Sequence, residues 1–126
     1  MKKIILPLVI IFVIITIITV NQIVLYKITQ SLNMTLETAM SNAKKNDFDA
    51  CLKNVDDFTK DYENSLKYMY AMIRHTELDQ IRISAKKLET FAKEKERVLF
   101  LAECNVTMDG IFHLYQADNF NLANIF

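Results

Sequence analysis

Residues 75–79, His75-Thr76-Glu77-Leu78-Asp79, place an imidazole and two carboxylates within one short stretch. Groups of these types can ligate a divalent metal, so His75, Glu77 and Asp79 are the candidate ligands. Their spacing works against a strong site. On a continuous helix His75 and Asp79 share a face while Glu77 points nearly the opposite way, and the second histidine, His113, lies far along the chain. The same stretch also has a structural use. His75 can end one helix and Thr76 can cap the next, with Asp79 completing an acidic capping box and Glu77 favouring the N-terminal dipole. The reading that accounts for every member is a helix junction, with no metal and no cofactor.

No other nucleophile has the surroundings it needs. Ser31, Ser41, Ser65 and Ser84 lack a strand-turn-helix context and a base nearby. With 1 Gly and 1 Pro, the chain cannot build glycine-rich phosphate loops, nucleophile elbows or hairpin-rich β folds. Fifteen Lys and Arg balance fifteen Asp and Glu, which removes the basic excess of a nucleic-acid binder. The expectation is a protein that is not an enzyme and binds no nucleic acid. Cys51 and Cys104 are the only cysteines. An even count permits a disulfide, but a bridge needs Cα atoms within about 7 Å, so two buried free thiols are the favoured reading.

What remains for such a chain is long helices. Residues 4–20 are apolar apart from two threonines and Pro7, and carry no charge. Continued through Ile23, Val24, Leu25 and Tyr26, a helix of this length reaches the hydrocarbon thickness of a bilayer, about 30 Å. Pro7 lies in the first turns, where a missing N–H costs little, and Tyr26 suits the headgroup level. Lys2 and Lys3 form a basic start, but the apolar run outlasts a signal-peptide core and no small-x-small site follows it. An uncleaved anchor over residues 1–26 is expected. The two lysines keep the N-terminus cytoplasmic and the remainder extracytoplasmic.

From Lys27 to Lys45 the apolar positions Ile28, Leu32, Leu36, Ala39 and Ala43 keep helical spacing, so the anchor helix runs on into the domain. Lys44-Lys45-Asn46-Asp47 punctuates the chain, with Asn46 or Asp47 able to cap a second helix. That helix carries Phe48, Leu52, Val55, Phe58, Tyr62, Leu66, Met69 and Ile73 as its stripe. Leu78, Ile81, Ala85, Leu88 and Ala92 form a third stripe, and Val98, Leu101, Asn105, Met108, Phe112 and Tyr115 a fourth. The mixed charges between stripes read as solvated faces. Phe58, Tyr62, Tyr68 and Tyr70 read as core and interface aromatics rather than a ligand cage. The fold class is therefore all-α: an N-terminal transmembrane helix continuing into an antiparallel bundle of about four helices over residues 27–119. Residues 120–126 follow as an apolar tail. Phe120, Leu122, Ile125 and Phe126 need burial, on the chain's own bundle or on a partner, and are the candidate docking residues.

The basic start, the Ile-rich anchor, His75-x-Glu77-Leu78-Asp79 with Ile81 and Ile83, and the ending Phe120-Asn121-Leu122-Ala123-Asn124-Ile125-Phe126 together resemble domain-of-unknown-function family 4363. The resemblance covers nearly the whole chain. It implies a small anchored helical protein of an endospore-forming Gram-positive bacterium, with a multipass membrane protein as partner besides the lipid bilayer. It supplies no catalytic residue. The family's second helix carries tryptophans, where this chain has Phe48, Phe58, Tyr62 and Tyr68 instead. The functional expectation is an interaction or accessory subunit for a membrane or envelope protein. The alternative is a ligand-sensing ectodomain acting through a membrane partner.

Overall fold

The computed structural model describes residues 2–71 and 73–125, with the side chains of residues 117–125 outside that description. The chain forms four helices: α1 (Lys2–Lys44), α2 (Phe48–Met69), α3 (His75–Lys93) and α4 (Arg97–Ile125). Among the described residues there is no strand. Each helix packs on its neighbours in the chain, and α4 closes the ring against α1, which is the up-down-up-down arrangement short connections favour.

α1 has two halves with different surroundings. From Leu25 onward it buries Leu25, Thr29, Leu32, Leu36, Ala39 and Ala43, spaced by three and four residues against the bundle. Before Leu25 it buries nothing, and Ile4 to Val20 stay exposed apart from half-covered Ile18. Pro7 lies inside the helix.

Two of the three turns are the same motif. After α1, the Asp47 N–H reaches the Asn42 carbonyl at 2.9 Å and the Asn46 N–H reaches Ala43 at 3.0 Å, with Asn46 at φ 59°. After α3, the Glu96 N–H reaches Phe91 at 2.9 Å and the Lys95 N–H reaches Ala92 at 3.2 Å, with Lys95 at φ 58°. These Schellman closures satisfy the last carbonyls of each helix without a glycine. Asp47 also caps α2, its carboxylate accepting from the Ala50 N–H at 3.2 Å, as its residue type suggests.

The middle turn differs from the sequence-based expectation. α2 ends at Met69 rather than His75, and Ile73 is buried in the connection, with its N–H on the Met69 carbonyl at 2.8 Å. His75 begins α3 instead of ending α2, and Thr76 is not its cap. The N-cap is Arg74, extended at φ −64° and ψ 137° and without a side-chain cap bond. Burying Ile73 fixes where the chain turns, and that tertiary demand overrides the local capping pattern.

The core runs the length of the ring. α2 supplies Cys51, Val55, Phe58, Tyr62, Leu66 and Met69, and α3 supplies Leu78, Ile81, Ala85, Leu88 and Ala92. Phe58 and Tyr62 lie parallel with ring centroids 6.2 Å apart. α4 departs from its expected stripe. Among the described side chains its buried residues are Phe100, Cys104, Thr107, Ile111 and Leu114, whereas Val98 and Phe112 are exposed and Leu101, Met108 and Tyr115 only flank the core. The true stripe is rotated by about one residue's step around the helix.

Candidate interaction surfaces

The structure separates the proposed metal ligands from any ligating arrangement. His75, Glu77 and Asp79 are all exposed on the first turns of α3, and the His75 ring packs against Tyr70 with centroids 4.7 Å apart. Among the described residues, no group of three or more His, Cys, Asp or Glu is placed to hold a metal ion. The docking-tail residues Phe120, Leu122, Ile125 and Phe126 lie outside the described residues; α4 itself extends to Ile125.

Cys51 and Cys104 are free and fully buried. The Cys51 thiol donates to the Ala39 carbonyl at 3.4 Å, joining α2 to α1. Burial, assisted by the Asp47 carboxylate, pushes the Cys51 pKa up to about 11. Burial also pushes Cys104 up to about 12, with smaller contributions from Cys51 and Glu103. Thiols held neutral in this way behave as small apolar side chains and are poor nucleophiles near neutral pH.

Open grooves run between the helices, and one of about 520 Å³ lies along α1 and α2, lined by Tyr26, Lys27, Gln30, Thr35, Asn54 and Asp57 among others. A second, about 420 Å³, lies between α2 and α3 over Thr59, Glu63, Arg82 and Glu89, where the Arg82 Nε stands 3.4 Å from Glu63 Oε1. The first also takes in Met34 and the second Tyr62 and Ala85, so apolar and charged groups share both linings.

The apolar surfaces are more distinctive. On α1, Ile4 to Val20 present a run of exposed aliphatic side chains, and Phe12 is 71% exposed. Among the described residues this is one helix long and apolar enough to cross a membrane. On α4, the face opposite the core carries Val98 at 73% exposure, Val106 at 58% and Phe112 at 54%. They share that face with Ala102, Asn105, Asp109 and His113, all exposed. The expected stripe, Val98, Leu101, Asn105, Met108, Phe112 and Tyr115, holds part of this outer face and none of the buried residues. Charge gives no bearing between the two faces, because α4 from Val98 to Tyr115 has only Glu103 and Asp109 as acids and no Lys or Arg.

A family model described as a domain of unknown function (DUF4363) matches residues 18–125. The match takes in the bundle and the upper part of α1, and leaves out most of the exposed apolar run. No curated protein and no solved structure matches the chain.

Proposed function

Because the chain belongs to the DUF4363 family, whose description carries no activity, we propose a function from its surfaces: a membrane-anchored accessory subunit whose helical domain docks on another membrane or envelope protein. The observation that carries this reading is the outer stripe of α4, where Val98, Val106 and Phe112 leave large apolar area in water on an element already packed on its other side. A stable monomer gains nothing from that arrangement, whereas an interface core does. The exposed apolar half of α1 supports anchoring, and Lys2 and Lys3 support a cytoplasmic N-terminus with the bundle outside. Retention of residues 1–26 completes the anchor. The resemblance of the chain to anchored proteins of endospore-forming Gram-positive bacteria supports a multipass membrane protein as the partner.

Affinity purification of the full chain from membranes in mild detergent tests the reading. One stoichiometric membrane protein should co-purify with the native chain and be lost with Val106→Lys or Phe112→Lys. A chain that purifies alone and is thermally stabilised by a small molecule would instead establish a ligand-sensing ectodomain.

A further inference from the structure

The register of the helices brings chemically similar residues to one end of the bundle. The Asn42 Nδ2 donates to Asn54 Oδ1 at 2.8 Å, fixing α1 against α2, and in the same register Lys27 and Ile28 share a groove with Asn64 and Ser65. Five residues further along α2, and five back along α1, the chain advances about 7 Å in each helix. That step brings Met69 and Tyr70 level with Gln22 and Ile23. α4 passes the same height, since the Tyr115 ring lies 5.8 Å from the Tyr26 ring, and its helix runs on to Ile125. α3 starts there too, with His75 against Tyr70.

Four of the chain's five tyrosines, Tyr26, Tyr68, Tyr70 and Tyr115, therefore ring the base of the bundle, while Tyr62 alone is in the core. Tyr26, Tyr68 and Tyr70 are exposed. Lys27, Lys67 and Arg74 are exposed nearby, and the Lys67 Nζ lies 5.4 Å from the centre of the Tyr68 ring. Glu77 and Asp79 stand on the first turns of α3 beside them. The base also coincides with the point where the apolar run stops, since Lys27 is the first charge after Lys3.

We propose that this base is a lipid-binding surface: the tyrosine ring seats in the headgroup layer of the membrane and Lys27, Lys67 and Arg74 contact lipid phosphates. The proposal rests on the anchored reading, because it takes its depth from α1. Tyrosine suits this position, with an apolar ring that enters the boundary and a hydroxyl that stays wet. The cations above it suit phosphate, and long basic side chains reach along the interface. An exposed aromatic ring at the end of a water-soluble bundle has no such compensation. Its placement directly over the apolar half of α1 supplies the occupant.

The chain contains no tryptophan, so a single substitution installs a unique fluorophore. Full-length Phe12→Trp, Tyr70→Trp, Tyr68→Trp and Val98→Trp are reconstituted in vesicles of phosphatidylcholine and phosphatidylglycerol carrying a nitroxide on the headgroup or on the acyl chain. Tyr70→Trp should lose emission to the headgroup nitroxide, Phe12→Trp to the acyl-chain nitroxide, and Val98→Trp, at the far end of the bundle, to neither. Tyr68→Trp reports the same surface should Tyr70→Trp fail to fold. Quenching of Phe12→Trp with none at either tyrosine position would overturn the proposal and leave the anchor standing: blue-shifted emission there would mean a protein contact, and red-shifted emission a base held clear in water. Absence of quenching at Phe12→Trp would remove the anchored reading, and the lipid surface with it.

Discussion

Tyr62 donates its phenolic hydrogen to the backbone carbonyl of Leu78, so α2 holds the first turn of α3 through a buried side chain. Burial raises the Tyr62 pKa above the ordinary tyrosine range and keeps the hydroxyl a donor. The contact ties α3 to α2 but satisfies none of the first-turn N–H groups that a side-chain cap would take, because it ends on a carbonyl.

Replacing Tyr62 by Phe keeps the ring and its stacking on Phe58 but removes the donor. The expected cost is about 0.5–1.5 kcal/mol, the usual net value of one such bond. Urea denaturation of the two proteins measures it, and the midpoint should fall with the slope unchanged. An unchanged midpoint would mean the bond contributes nothing net.

Lys95 occupies the left-handed region at φ 58°, where a side chain costs about 1–2 kcal/mol and glycine costs little. Lys95 is exposed, so Lys95→Gly sacrifices no buried contact. The variant should be more stable by about 1 kcal/mol, a gain of roughly 4–8 °C in Tm for a domain of this size. A lower Tm would show that the turn draws on the lysine side chain.

Gly110 presents the opposite case. It sits inside α4, and a Cβ there would meet Ile81 Cγ1 at 3.7 Å, an ordinary contact. Gly110→Ala should stabilise by about 0.5–1 kcal/mol through helix propensity alone. Thermal melting of the variant checks this, and destabilisation would mean that α3 and α4 pack more closely than the 3.7 Å spacing implies.

The buried thiols make stability depend on alkali. The Cys51 pKa rises from 9.0 to about 11 in the folded chain, and that of Cys104 to about 12. A folded pKa above the unfolded value contributes stability that is fully present below pH 9 and is lost as pH climbs toward 11 and beyond. Denaturation midpoints should accordingly show no thiol-dependent change near neutrality and fall above pH 9, with the fall reduced in a Cys51→Ala, Cys104→Ala double variant. A thiol reagent at pH 8 should modify both cysteines only after unfolding; modification of the native protein would contradict their burial.

The sequence made α2 and α3 legible because charged residues occupy their outer faces. With Asp56, Asp57, Lys60 and Asp61 on one side, Val55, Phe58, Tyr62 and Leu66 can face only the core. α3 is as clear, and all of Leu78, Ile81, Ala85, Leu88 and Ala92 are buried. α4 gives no such bearing. Its core positions include Cys104 and Thr107, while Val98 and Phe112 point outward, so two faces compete for one period. The tyrosine ring was invisible for another reason: Tyr26, Tyr68, Tyr70 and Tyr115 come from different helices, and only the register of the bundle brings them to one level.

α1 is a single helix from Lys2 to Lys44, and after Pro7 it contains no proline or glycine. Such a rod has no hinge. Under the proposed anchoring, a tilt or rotation of the apolar half is carried into the bundle, because the same backbone forms both. The stretch from Lys27 to Lys44 is about 27 Å long, so the turn at Asn46 and its neighbour at Lys95 ride at the free end of a lever of that length. A tilt of 20° within the membrane would sweep those turns sideways by about 9 Å, enough to bring them onto or off a neighbouring surface.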